Sequence, residues 1–260
     1  MTIKQNSNHL LHCEICGAPK QMLLSRPDGQ TYPVRIPCEC ESKKRLQEKE
    51  SREIREHQRQ VNLLRQKAFP GSLYYDYTFE KAFENISVID LAKSYVKHFP
   101  EMEAKGVGLV FWGGIGTGKT FVSGCIANAL IDQEISCRMT SIPRIFHSMN
   151  GSTFEQKKEY LKSLNDCRLL IIDDMGTERN TEYSMELVYS IIDDRYVNKR
   201  PMIITTNLTL TELQNPSDRE HGRIYSRIMN MCMPVKVNEK NLRKENTSRM
   251  FQEVKHLLQQ

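Results

Sequence analysis

Residues 113–120 read Gly113-Gly114-Ile115-Gly116-Thr117-Gly118-Lys119-Thr120, and every fixed position of the phosphate-binding pattern G-x-x-x-x-G-K-[ST] is filled. Gly116 and Gly118 let backbone N–H groups turn inward around oxyanions, with no Cβ in the way. Lys119 brings a point charge for β- and γ-phosphates. Thr120 offers a hydroxyl to magnesium. The helix expected to begin here aims its positive end at the same anion. Phe121 follows inside that helix, so Gly113 to Phe121 forms the candidate nucleotide-binding stretch. The flanks agree: Gly108 to Trp112 is a short apolar run that predicts a buried strand, and Phe121 to Ile131 predicts a helix. A chance Gly-rich turn is the competing explanation, and strand–loop–helix context speaks against it.

A second group of chemistry-bearing residues lies at 168–175, Arg-Leu-Leu-Ile-Ile-Asp-Asp-Met. Four consecutive apolar residues predict a strand covered on both faces. Asp173 and Asp174 then fall at its carboxyl end, where open α/β sheets bind ligands. Asp173 is the candidate magnesium ligand, directly or through water. Asp174 is the candidate base or orienter of an attacking water. The bland alternative is a strand ending in two solvated aspartates. Met202 to Thr206 is another apolar strand, tipped by Asn207, which either bonds a γ-phosphate or the water, or simply forms a turn.

Eight cysteines fall into two groups. Cys125, Cys137, Cys167 and Cys232 are scattered through apolar or mixed segments and read as buried small residues. Cys13-x-x-Cys16 and Cys38-x-Cys40 cluster at the front, around a hairpin turn predicted at Arg26-Pro27-Asp28-Gly29. Four thiolates can surround zinc tetrahedrally, and so small a segment needs such a staple. Free thiols are the alternative, and His12 is a possible substitute ligand.

Elements must position these groups. The chain has 260 residues and a formal charge of +5, enough for one ATPase-sized domain with a small appendage. The mild basicity is compatible with nucleic acid without requiring it. No apolar run approaches the roughly 20 residues of a membrane span, and no secretory apolar core begins the chain, so a cytoplasmic protein is expected. Glu41 to Lys67 is highly charged, with Leu46, Ile54, Val61, Leu64 and Ala68 as a sparse stripe. It predicts a long, mostly solvated helix, either a linker or a docking helix. Phe69-Pro70-Gly71 breaks it. Tyr74, Tyr75, Tyr77, Phe79 and Phe83 follow, and should cover the core near an adenine pocket. One helix is expected over 86–99. Beyond the Gly-rich loop the pattern predicts strand 135–140, helices across 142–165, strand 168–173, helix 181–199, strand 202–206, helix 219–230 and strand 233–237. The alternation argues for an α/β fold, a parallel sheet with helices on both faces. Arg223 and Arg227 stand four apart, on one face of the expected helix. Either they form a surface salt-bridge helix, or one of them reaches a phosphate on a neighbouring subunit. Arg243 is a similar case.

Taken together, GGIGTGKT at 113–120, LLIIDDMGTE at 169–178, ITTN at 204–207, RIYSRI at 223–228 and the CEIC…CEC front end resemble the AAA+ helicase loaders of the DnaC and DnaI type, including phage versions, within the IstB-like ATP-binding superfamily. The resemblance implies an AAA+ P-loop NTPase with a five-stranded parallel sheet of order 5-1-4-3-2. It implies a small zinc-binding domain over 1–42, a helical linker over 43–70 and the ATPase over 71–260. It implies ATP and magnesium, side-by-side assembly in a spiral or ring, hexameric with a replicative helicase, and contact with single-stranded DNA. By position, Arg227 resembles the finger acting in a neighbour's site with Arg223 one turn away, Asn207 the γ-phosphate sensor, and Arg243 a second sensor. Arg179, Thr181 and Tyr183 match the family's nucleic-acid contacts, Tyr183 by base stacking unless it is helix packing. The expected activity is slow, magnesium-dependent ATP hydrolysis that loads the helicase. An IstB-type transposition ATPase and a nucleotide-gated adaptor are the alternatives; Asp174 in place of the common glutamate keeps the adaptor open. A nucleoside kinase fits poorly, because no lid is evident.

Overall fold

The computed structural model describes residues 11–69, 71–82, 88–176, 182–216 and 218–237, with 251–252, 254–255 and 257–258 near the end. The chain divides into two compact units, Met1–Arg59 and Gln60–Gln260.

In the first unit, β1 (Gln21–Ser25) pairs antiparallel with β2 (Thr31–Arg35), in register from Gln21 opposite Arg35 to Ser25 opposite Thr31. The turn falls where the sequence places it. Arg26 N donates to Gln30 O at 2.8 Å, and Asp28 Oδ1 accepts from Gln30 N at 3.0 Å. Met22, Leu23, Leu24 and Tyr32 remain exposed. A lone hairpin of this kind is marginal in water, so its stability must come from elsewhere. Helix α1 (Glu39–Ala68) then runs across the division between the units. Its front half is held by weak surface ion pairs such as Glu41–Arg45 at 2.9 Å. In its last turns Val61 and Ala68 are buried in the second unit's core.

The second unit continues with α2 (Ile89–Lys97), α3 (Phe99–Lys105), β3 (Gly108–Trp112), α4 (Lys119–Ile131), β4 (Cys137–Ser141), α5 (Ile142–Met149), α6 (Phe154–Asp166), β5 (Leu169–Met175), α7 (Glu182–Val197), β6 (Met202–Thr206), α8 (Leu210–Gln214), α9 (Arg219–Met231) and β7 (Cys232–Lys236). The strands form one parallel sheet in the order β4-β5-β6-β3-β7. Counted within the sheet, that order is 5-1-4-3-2. The strand alternation feeds two cores. Leu109, Phe111, Leu169, Ile171 and Ile203 point to a layer built on α2 and α4, while Val110, Leu170, Ile172 and Ile204 point to a layer built on α5, α7 and α9. Burial on both faces is why these strands are unbroken apolar runs.

Two sequence expectations need correction. One helix was expected before β3, over 86–99; α2 (Ile89–Lys97) fills that place, but a second helix, α3, follows it, with Pro100 in its first turn, where a missing N–H costs no intrahelical bond. The short helix α8 was not expected. It is nucleated by a capping box in which Thr209 and Glu212 satisfy each other's backbone N–H groups.

A fully buried arginine joins the sheet to its helices. Arg195 of α7 is 0% exposed. Its guanidinium donates to the carbonyls of Leu164 at 3.0 Å, Cys167 at 3.2 Å, Arg168 at 3.3 Å and Pro201 at 2.6 Å. A cation at the carboxyl end of α6 offsets the negative end of that helix and caps carbonyls that have no other partner within it. Replacing Arg195 with Met leaves several buried carbonyls unsatisfied, so stability should fall by about 3 kcal/mol or more in urea unfolding. A loss below about 1 kcal/mol would contradict this role.

Candidate functional site

The loop from β3 to α4 turns on glycines with positive φ, 79° at Gly116 and 96° at Gly118. Side chains rarely adopt this region, so glycine is required for the tight wrap. Gly118 is the N-cap of α4, leaving the helix's first N–H groups facing the loop interior. Thr117 Oγ1 donates to Gly114 O at 3.0 Å and braces the turn. Lys119 is only 6% exposed. Its ammonium donates to Gly113 O at 2.8 Å, Gly114 O at 2.6 Å and Asn207 Oδ1 at 2.8 Å.

The acidic pair sits at the tip of β5, where pairing with β6 shifts register between Ile172 and Met175. The irregularity re-aims the two side chains. Asp173 Oδ1 accepts from Thr120 Oγ1 at 2.8 Å and from Thr205 Oγ1 at 2.7 Å. Asp174 adopts φ 57°, a left-handed conformation that aspartate tolerates better than most residues. Its N–H donates to Thr205 Oγ1 at 2.8 Å, and its Oδ1 accepts from Asn207 Nδ2 at 2.9 Å. One continuous chain therefore links Lys119, Asn207, Asp174, Thr205, Asp173 and Thr120. Thr205 was missed from the sequence, although it stands two residues before Asn207 on the same strand tip.

These groups line a cleft of about 780 Å³, together with Leu73, Tyr74, Tyr77 and Phe121. The aromatic wall is where the sequence predicts it, with Tyr77 and Phe121 centroids 5.1 Å apart. Gly124 makes this approach possible, since a Cβ there would lie 2.6 Å from the Tyr77 ring. The wall is tied down by Asn128, whose Nδ2 donates to Tyr74 O at 2.8 Å and Tyr77 O at 2.9 Å. Arg65 Nε in turn donates to Asn128 Oδ1 at 3.1 Å. Asn128 was not singled out, and its signal was one amide within an otherwise apolar helix.

Arg223 and Arg227 do not line this cleft. Both stack on Tyr189 of α7, 4.3 Å and 4.6 Å from its ring centre. Arg227 also pairs with Asp193 through Nε and donates to Tyr189 Oη at 2.6 Å. Phe83, Arg179, Thr181, Arg243 and the side chain of Tyr183 lie outside the described residues.

In the first unit, Cys13, Cys16, Cys38 and Cys40 bring their sulfurs within 4.8 Å of one another. His12 is not part of this group. Tetrahedral zinc–sulfur bonds of about 2.3 Å need just such spacing, and the set is closed, as in structural sites. Backbone N–H groups of Cys16 and Ile15 and the neighbouring thiol of Cys40 hold the Cys13 thiol down to about 6. Thiol neighbours, Cys38 first, push Cys40 up to about 12. Cys125, Cys137, Cys167 and Cys232 are buried, and burial raises each thiol, which suits packing rather than reactivity.

A family model described as IstB-like ATP binding protein matches residues 43–250. The chain belongs to this IstB-like family. Among curated relatives, it is similar to the replicative helicase loader DnaI of Bacillus subtilis (strain 168), 26% identical over 167 residues, covering 60% of this chain and 52% of that protein. It is also similar to the replicative helicase loader DnaC of Escherichia coli (strain K12), 27% identical over 133 residues, covering 49% of this chain and 52% of that protein. The chain thus spans about half the length of the curated relatives it matches. Among solved structures, a DnaI crystal structure superposes with TM-score 0.57 at 22% identity, covering 67% of this chain and 94% of that one. A DnaC helicase loader gives TM-score 0.56 at 24% identity, covering 65% and 100%. These likenesses establish the fold of the IstB-like unit. No helix among the described residues is long and apolar enough to cross a membrane.

The sulfur geometry leads to a measurable outcome. Elemental analysis of the purified chain should find one zinc per molecule, and Cys38→Ser should lose it. Equal zinc in both would place the metal elsewhere.

Proposed function

We propose that this chain is an ATP-dependent loader that places a replicative DNA helicase on single-stranded DNA. The bonded chain from Lys119 through Asn207, Asp174 and Thr205 to Asp173 and Thr120 carries the reading. It couples a phosphate-binding loop to an acid pair, the working parts of a nucleoside-triphosphate hydrolase. The likeness to DnaI and DnaC supports the loader role. We assign 1–42 to a zinc-binding domain that grips the helicase, 43–70 to a linker and 71–260 to the ATPase.

In this reading Gly113 to Phe121 wraps the triphosphate, and Lys119 exchanges the loop carbonyls for β- and γ-phosphate oxygens. Thr120 and Asp173 would hold magnesium, which when bound offsets the phosphate charge. Asp174 orients or deprotonates the attacking water. Asn207 bonds the γ-phosphate, and Arg243 acts as a second sensor. Copies of the chain stand side by side in an open spiral, hexameric with the helicase. Arg227 then leaves Asp193 and Tyr189 and steadies charge on the phosphoryl group in the adjacent copy's cleft, with Arg223 beside it. Because the pocket is finished in trans, hydrolysis is slow until partners assemble. Arg179, Thr181 and Tyr183 contact the DNA strand.

An IstB-type transposition ATPase that binds DNA and a transposase is a second reading, kept open because the matching family is described as IstB-like ATP binding protein. Pull-down of the host's replicative helicase with ATP supports the loader; capture of a transposase in its place supports the other.

Turnover stimulated by helicase and single-stranded DNA should fall about 10³-fold or more in Arg227→Ala, while ATP affinity stays nearly unchanged. Loss of ATP binding instead would contradict a role in trans.

A further inference from the structure

The edge strand β4 carries a second concavity, apart from the nucleotide cleft. Its volume is about 220 Å³. Lys67 from the end of α1, Arg138 and Thr140 from β4, and Arg144 and Ser148 from α5 converge on it. Tyr160 of α6 closes one side, and the Arg138 guanidinium lies 5.4 Å from its ring centre. That stacking fixes the direction of one cationic head.

No carboxylate among the described residues lines this concavity. Among the described residues, Lys67, Arg138 and Arg144 have no ion-pair partner. The contrast within the same unit is sharp, for Arg65, Arg168, Arg200 and Arg227 each hold a carboxylate. Three like charges from three separate elements repel one another, a cost that the stacking of Arg138 on Tyr160 does not remove for Lys67 and Arg144. An anion removes that cost.

We propose that this concavity is a sequence-independent seat for a backbone phosphate of a nucleic-acid strand. A polyanion suits it better than a lone phosphate. Lys67 and Arg144 are exposed, so a single small anion would be screened by water and salt. A nucleic-acid strand gains from counterion release at each phosphate, which a free anion cannot supply. Ser148 and Thr140 add hydroxyls of the kind that contact phosphate oxygens without reading a base. The seat involves none of Arg179, Thr181 and Tyr183. It rests on the loader reading only in taking nucleic acid as the polyanion.

The test is the salt dependence of binding to a fluorescent dT oligomer, by anisotropy, in the presence of MgATP. The double variant Arg138→Ala/Arg144→Ala should lower the slope of log K against log salt by about 0.7 to 1.4, the loss of one to two phosphate contacts to a single strand. Arg138→Lys/Arg144→Lys should keep the slope, and retained ATP affinity in each variant shows that the cleft is intact. An unchanged slope in the alanine variant, with wild-type binding intact, overturns this seat and leaves the loader reading standing. So does displacement of the oligomer by a few millimolar inorganic phosphate in the wild type and not in the alanine variant, which assigns the concavity to a lone anion. Failure of the wild type to bind the oligomer at all overturns both.

Discussion

Lys119 is a full positive charge in a place from which water is nearly excluded. An ammonium has three protons to donate, and here they go to two loop carbonyls and one side-chain amide oxygen. Each of these three acceptors is a neutral dipole, and the N-terminal end of α4 adds positive potential beside the ammonium. A buried cation is tolerable only if its surroundings are fixed. The sheet fixes them. Gly113 and Gly114 follow β3 and Asn207 follows β6, so two adjacent strand tips must keep register for one ammonium to be satisfied, and Asp174 on the neighbouring β5 accepts from the Asn207 amide and so turns its oxygen toward Lys119.

That requirement explains the layering. Strands covered on both faces cannot slip by one residue without exchanging their two apolar sets, and both sets are buried. Arg195 reinforces the arrangement from the opposite end of the sheet, where it holds the turn before β5 to the residue before β6. Thr205 performs the matching task at the site, bonding the side chain of one aspartate and the backbone of the next. The geometry of the site and the stability of the fold thus draw on the same strand register.

Much of this was legible in the chain. The Gly-rich loop needs φ values that only glycine accepts easily, so its spacing is diagnostic. Strands such as Leu169 to Ile172 announce two-sided burial because no polar residue interrupts them. The four front cysteines could be grouped because thiols at such spacing have few other uses. What escaped reading were polar residues whose partners are distant in sequence. Asn128 finds the backbone of Tyr74 and Tyr77, more than fifty residues away. Arg195 finds carbonyls on both sides of β5. A lone Asn or Arg has no local pattern that reveals its partner. The split at Pro100 and the capping box at Thr209 did carry local signals, and both concern boundaries, where a few tenths of a kcal/mol per residue decide the outcome. The cation cluster at β4 joins residues some seventy positions apart, so only the fold assembles it.

A triphosphate held in the Lys119 pocket is the premise on which the proposed function rests. Calorimetric titration of the purified chain with MgATP addresses this directly. Saturable binding by the wild type is expected, and Lys119→Ala should abolish it while the far-ultraviolet circular dichroism is unchanged. A folded wild-type chain with no measurable affinity, or an alanine variant that binds as tightly, would contradict it.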